Sequence, residues 1–213
     1  MHPRFVITGT DTNIGKTVFA AGLVQLLNAS YWKPVQAGLE EETDSQTVRR
    51  LSQAPSNKIL PEAYRLKKAA SPHAAAAAEG KHIELTQLTP PAVQGPLIIE
   101  GAGGLMVPLN QQATFIDVFA RWNFPLILCS KTGLGTINHT LLSIEAINRR
   151  GLSLKGIIFI GNPEPESQNI IAHLTDAPIL GRLPILKPLT PQNLQQTFQK
   201  NFSSTQSPTR FLC

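Results

Sequence analysis

Gly9-Thr10-Asp11-Thr12-Asn13-Ile14-Gly15-Lys16-Thr17 decides the fold of this 213-residue chain. The apolar run Phe5–Thr8 before it predicts a strand, and Thr17–Leu27 after it carries the spacing of a helix. A glycine-bearing turn that ends in Gly-Lys-Thr, between a strand and a helix, is the context of a Walker A motif, or P-loop. A polyphosphate explains the residue types. It wants backbone N–H donors, the positive end of a helix and a fixed cation. Gly15 lets the backbone approach closely, Lys16 reaches the β and γ phosphates, and the Thr17 hydroxyl is a ligand for Mg²⁺. Five residues, not the usual four, separate Gly9 from Gly15. The bland alternative is a chance Gly-Lys-Thr at a helix start, and the strand and helix on either side weigh against it.

The rest of the chain repeats that alternation. Tyr31–Val35, Pro96–Glu100, Pro125–Cys129, Ile157–Ile160 and Pro178–Leu180 are short, continuous apolar runs. Asp44–Gln53, Ala74–Glu79, Ile116–Trp122 and Thr136–Arg149 read as helices, the last closed by Gly151. Apolar runs without polar alternation are strands covered by helices on both faces. The expected fold is therefore α/β: a P-loop-type, mostly parallel sheet flanked by helices, in a single domain over 1–202. Residues 203–213 are polar and Pro-containing and read as a flexible tail.

Composition narrows the classes. Hydrophobic residues are 42% and charged residues 15% of the chain, as in a globular protein. The net charge of +5 comes from scattered Lys and Arg with no dense basic run, which argues against a nucleic-acid partner. Cys129 lies in an apolar run and Cys213 is terminal, so neither a disulfide framework nor a zinc site is expected. No apolar stretch is long enough to span a bilayer, and Phe198, Phe202 and Phe211 are too dispersed for a membrane-seeking tail. The first residues read as a strand rather than a signal peptide, so the expected compartment is the cytosol.

Two further stretches carry chemistry. Leu97-Ile98-Ile99-Glu100-Gly101-Ala102-Gly103-Gly104 delivers a carboxylate to the C-terminal end of a strand, where ligands bind in open α/β sheets. Mg²⁺ needs hard oxygen ligands beside the phosphates, and Glu100 supplies one. Lys33-Pro34-Val35-Gln36-Ala37-Gly38 places a second lysine at the end of a strand, toward the same sheet edge as Lys16. Two ammonium groups there repel unless an anion lies between them, which suits a transferred phosphoryl group. Asp44, in the acidic run from Glu40, is not distinguished from its neighbours by anything local.

Taken together, these motifs resemble the dethiobiotin synthetase family. The extended P-loop Thr8–Thr17, the Lys33–Gly38 stretch, Ser71-Pro72-His73, Glu100–Gly104 and Gly135-Thr136-Ile137-Asn138-His139 are similar to its signatures, in its order. The resemblance implies ATP- and Mg²⁺-dependent carboxylation of 7,8-diaminononanoate. One amine takes up CO₂ as a carbamate, ATP phosphorylates the carbamate, and the second amine closes a cyclic urea with release of phosphate. It implies that Asp11, Thr12, Asn13, Ile14, Gly15, Lys16, Thr17 and Val18 hold the nucleotide, with Glu100, Gly101 and Gly103, and that Asn162 and Pro184 lie on the adenine side. Thr12, Lys16 and Lys33 match catalytic groups at the phosphate and carbamate. Thr17, Asp44 and Glu100 match Mg²⁺ ligands. Lys33, Ala37, Gly103, Gly104, Asn138 and His139 match the substrate side, the last two across a homodimer interface. Ala37 stands where many members have Ser or Thr, Asn13 where an acid is frequent, and Gln192 near a frequent Glu.

Two other classes use this fold. ParA/MinD-like partitioning ATPases are switches with a lysine near the start of the P-loop, and here Thr10 and Asp11 occupy that place. Amide synthetases usually add a glutaminase domain, for which 213 residues leave no room.

Overall fold

The computed structural model describes residues 2–202 and 211. The P-loop joins β1 (Arg4–Gly9) to α1 (Lys16–Leu27). Next come β2 (Ser30–Trp32), β3 (Val35–Ala37), α2 (Asp44–Ser52), β4 (Ile59–Leu60), β5 (Tyr64–Leu66) and α3 (Pro72–Ala78). The chain continues through β6 (Leu97–Glu100), α4 (Phe115–Trp122), β7 (Leu126–Lys131), α5 (Thr136–Arg149), β8 (Leu154–Ile160), α6 (Pro165–Thr175), β9 (Ile179–Leu183) and α7 (Pro191–Phe202). Seven strands form one parallel sheet in the order β4-β2-β6-β1-β7-β8-β9. The P-loop strand β1 sits at its centre. After β6 the chain crosses β1 to enter β7, so the strand order reverses beside the P-loop, which is where such sheets bind ligands.

Strand alternation distributes the core. On β1, Phe5 and Ile7 pack toward α1, α2 and α7, while Val6 faces the opposite layer with Phe115, Phe119 and Ile147. All are buried, as expected for strands with continuous apolar runs.

The expected strand Tyr31–Val35 is two strands. Pro34 lacks an N–H for a ladder bond, and the chain steps out of the main sheet there. Val35–Ala37 pairs instead with Tyr64–Leu66 in a separate two-stranded sheet. Lys33 occupies the step between the two sheets. Helices α6 and α7 lie where the sequence analysis expects no helix. The signal for α7 is Leu194, Phe198 and Phe202 at steps of four, all buried. Phe198, Phe202 and Phe211 stack around Phe19, with ring centroids 5.6, 5.9 and 6.4 Å from it. Residues 203–210, 212 and 213 of the expected tail lie outside the described residues. No helix among the described residues is long and apolar enough to cross a membrane.

Gly22 is what lets α7 dock. A Cβ there would collide with the Phe198 ring. Helix propensity alone favours alanine by about 0.5–1 kcal/mol, but overpacking costs about 1–3 kcal/mol. Gly22→Ala is therefore expected to lower stability and Tm, as measured by denaturant and thermal unfolding. An alanine variant more stable than the parent would show that α7 is not held in this way.

Candidate active site

The P-loop wraps the end of β1 because two of its residues adopt left-handed backbone. Asn13 has φ 55° and Gly15, the residue before α1, has φ 98°. That alternation turns successive N–H groups inward and makes an anion-binding concavity at a helix N-terminus. Lys16 lies across it, and its ammonium donates to the Asp11 carbonyl at 2.7 Å. Asp11 accepts from the Thr12 N–H at 2.7 Å and faces Lys131 at 3.6 Å.

Next to the P-loop, four elements bring their polar ends together. Thr17 comes from the first turn of α1, Lys33 from the break after β2, Asp44 from the start of α2 and Glu100 from the end of β6. The Thr17 hydroxyl is 3.0 Å from Asp44 Oδ1 and 2.9 Å from Glu100 Oε1. The Lys33 ammonium lies 2.6 Å from Asp44 Oδ2 and 3.3 Å from Glu100 Oε1, and donates to the Gly101 carbonyl at 2.8 Å. Lys33 and Glu100 are almost wholly buried, whereas the Asp44 side chain is 33% exposed.

These environments set the charges. Burial pushes the Glu100 carboxyl up, and the Lys33 ammonium only partly offsets it. Burial also opposes the charge on Asp44, but Lys33 and the Thr17 hydroxyl outweigh it and hold its carboxyl below the usual range. Lys33 is desolvated as well, yet Glu100 and Asp44 together raise its pKa. Lys16 is lowered, by burial and then by the nearby charge of Lys33. A positive charge so disfavoured is stabilised by an arriving polyanion. Neither lysine is a surface residue: both side chains are buried.

The cleft over this floor has a volume of about 680 Å³. Thr12, Asn13, Ile14, Gly15, Lys16 and Thr17 line it, with Lys33, Ala37, Asp44, Glu100 and Gly103. Gly104 packs its Cα against the P-loop, since a Cβ there would stand 3.1 Å from the Gly9 carbonyl. Gly101 receives the Lys33 bond, and Val18 follows Thr17 in α1. Asn162 and Pro184 follow β8 and β9, whose ends are joined by the bond from the Gly161 N–H to the Leu183 carbonyl. Both are off the lining of the cleft floor, one strand or more from the P-loop. Asn138 and His139 are also outside it, exposed in the first turn of α5. Gln192 is exposed at the start of α7.

Three groups outside the sequence expectations shape the site. Tyr31 meets Glu100 Oε2 at 2.9 Å. Gln36 accepts from the Asp44 N–H at 3.1 Å and donates to the Ala37 carbonyl at 3.1 Å, which ties β3 to the start of α2. Ser130 meets Thr136 and Thr140 at 2.8 and 2.7 Å, a buried set of hydroxyls that seats the α5 N-terminus on β7. Each is a polar residue inside an otherwise apolar or helical run, which is the only mark it leaves in the sequence.

The model of a family described as an AAA domain matches residues 3–193. ATP-dependent dethiobiotin synthetase BioD of Agrobacterium fabrum is 56% identical over 203 residues, covering 95% of this chain and 96% of that one. The enzyme of the same name from Rhodopseudomonas palustris is 57% identical, covering 95% and 97%. The chain belongs to the dethiobiotin synthetase family. Among solved structures, a ParA family ATPase from Chlorobium tepidum aligns with TM-score 0.52 at 12% identity, covering 99% of this chain and 98% of that one. The MinC:MinD cell division complex of Aquifex aeolicus aligns with TM-score 0.53 at 12% identity, covering 92% and 86%. At that identity the likeness is one of fold, and the partitioning-switch alternative gains nothing from it.

Removing one partner of a buried ion pair leaves the other charge uncompensated and costs about 3–5 kcal/mol. Lys33→Met keeps the side-chain volume and strands Asp44 and Glu100. Denaturant unfolding without ligands is expected to show a loss at the lower end of that range, because Asp44 is partly exposed. Unchanged stability would mean that solvent already screens the cluster.

Proposed function

We propose that this cleft carries out the ATP-dependent formation of dethiobiotin from 7,8-diaminononanoate and CO₂, with release of ADP and phosphate. The observation that carries the reading is the floor of the cleft. A P-loop lysine, a second buried lysine and two carboxylates converge there, in a chain more than half identical to enzymes named for this product. The cytosol is the compartment in which such a ligase would meet ATP.

The residues divide the work as follows. A diamine nitrogen adds to CO₂ and loses a proton, giving a carbamate. A carbamate oxygen forms a bond to the γ phosphorus of ATP as the bond to the β-phosphate oxygen breaks, and ADP leaves. The second amine attacks the carbamoyl carbon and gives up a proton, and phosphate departs with the electron pair of the broken C–O bond. The P-loop N–H groups with Thr12 and Lys16 cradle the phosphates, and Val18 continues that helix. Lys33, between the phosphoryl site and Ala37, balances charge that grows in transfer. Gly103 and Gly104 leave room for backbone contact with the diamine side, and Asn162 and Pro184 flank the base.

Mg²⁺ fits the donor set. Thr17, Asp44 and Glu100 offer hard oxygens, with the Thr17 hydroxyl 3.0 Å from Asp44 Oδ1 and 2.9 Å from Glu100 Oε1. Among the described residues no group of three or more His, Cys, Asp and Glu forms a cage. Two carboxylates with a hydroxyl leave the remaining positions to phosphate oxygens and water, as Mg²⁺ prefers. When bound, the ion would neutralise phosphate charge and orient the γ phosphate.

Asn138 and His139 serve a substrate carboxylate in the same reading, at the N-terminus of α5 and across a two-fold homodimer interface. Leu134, Ile137 and Leu142 support an interface there. All three are exposed, Leu134 fully.

ADP formation is expected to be slow with ATP and Mg²⁺ alone, and to rise sharply only with diaminononanoate and bicarbonate together. Lys16→Ala is expected to cut that rate on the order of a hundredfold or more. The check is a coupled ADP assay with each component omitted in turn, plus mass detection of the cyclic urea. Hydrolysis indifferent to the diamine would overturn the assignment. For the shared interface, light scattering is expected to find a dimer that Ile137→Asp converts to monomer with loss of activity. A fully active monomer would refute a site built from two subunits.

A further inference from the structure

Glu100 uses its two oxygens differently. Oε1 faces the cleft floor, where Thr17 and Lys33 meet it at 2.9 and 3.3 Å. Oε2 points the other way and meets the hydroxyl of Tyr31 at 2.9 Å. Tyr31 lies on β2 opposite Ile98, one full strand period before Glu100 on β6. Both therefore project to the same face of the sheet. The ring is wholly buried in the cluster of Phe19, Val48 and Leu51, beneath α1 and α2. Its neighbour Trp32 turns to the other layer and donates to the Pro61 carbonyl at 3.1 Å.

We propose that Tyr31 is a positioning residue for the metal site: its phenol anchors one oxygen of Glu100 so that the other is presented to the cation held with Thr17 and Asp44. The inference rests on the metal reading above. The terminal torsion of a glutamate is broad and roughly two-fold, so packing alone does not fix the carboxylate plane. Lys33 would draw both oxygens toward itself if nothing held the far one. A carboxylate turned to embrace Lys33 is a poorer metal ligand. Tyr31 prevents the turn with a neutral donor, which leaves the negative charge available. Fixing the orientation of a ligand through its other polar atom is how outer partners tune metal sites, at about 10–100-fold in affinity.

Tyr31→Phe keeps the ring that fills the core and removes only the hydroxyl. Mn²⁺ binding to the full chain with ADP, followed by electron paramagnetic resonance, is expected to weaken about tenfold or more. Turnover should return toward the parent value as Mg²⁺ is raised, with the ATP KM unchanged at saturating metal. Glu100→Gln separates the two readings. If Glu100→Gln weakens Mn²⁺ binding while Tyr31→Phe does not, the positioning role of Tyr31 fails and the metal reading stands. If neither variant weakens it, the metal reading fails and takes this inference with it. A lowered Tm in Tyr31→Phe with unaltered Mn²⁺ affinity also overturns the proposal, since it marks a structural role only.

A second measurement needs no change at Tyr31. The chain has two tyrosines, Tyr31 and Tyr64, so 3-fluorotyrosine labelling gives two fluorine signals, assigned with Tyr64→Phe. The Tyr31 signal is expected to move when Mg²⁺ is added to the ADP complex. A signal that does not respond to the metal would overturn the coupling.

Discussion

Two carboxylates and one ammonium share the floor of the cleft, and most of the functional architecture follows from keeping them together. Lys33 is buried and charged, so it needs Asp44 and Glu100 around it. Glu100 is buried at the end of β6, so it needs Lys33, Thr17 and Tyr31. Each partner arrives on a different element, and the cluster therefore couples α1, α2, β2 and β6 at one point. Such a cluster is a poor source of net stability, because the desolvation of each ion offsets most of the attraction. What it supplies is a charged, water-poor floor with groups already in place when phosphates arrive.

The sheet order puts that point at the edge where open α/β sheets bind ligands. With β1 at the centre, β6 on one side and β7 on the other, the P-loop, Glu100 and the start of α5 all emerge at the same sheet edge. The break at Pro34 serves the same end. A strand that ran straight through Tyr31–Val35 would carry Lys33 in the ladder. The step into the two-stranded sheet instead frees Lys33 to reach back over Gly101. Gln36, just past the step, then holds the first turn of α2 and with it the backbone of Asp44.

The two lysines have different surroundings. Lys33 is saturated by carboxylates, so its charge is secure without ligand. Lys16 donates to a backbone carbonyl, and burial and the nearby charge of Lys33 disfavour its charge. Both lysines stand at one sheet edge, as the sequence leads one to expect. In the structure protein carboxylates lie beside Lys33, 2.6 Å away at Asp44 and 3.3 Å at Glu100.

Much of this was legible in the chain alone, where chemistry is local. A strand, a turn with Gly15 in left-handed backbone and a helix start are neighbours in sequence, so the P-loop and its phosphate preference could be read directly. Continuous apolar runs gave away a parallel sheet because both faces of each strand are covered. Asp44 could be singled out only by family likeness, since nothing in an acidic run tells which carboxylate turns inward. The tertiary structure alone decided that Thr17, Lys33, Asp44 and Glu100 meet, that Tyr31 stands behind Glu100, and that α7 closes the core with Phe198 and Phe202. Most of those contacts join residues tens of positions apart, Thr17 to Asp44 by 27 and Tyr31 to Glu100 by 69. Their distances depend on strand order and register, which hydrophobic periodicity does not encode.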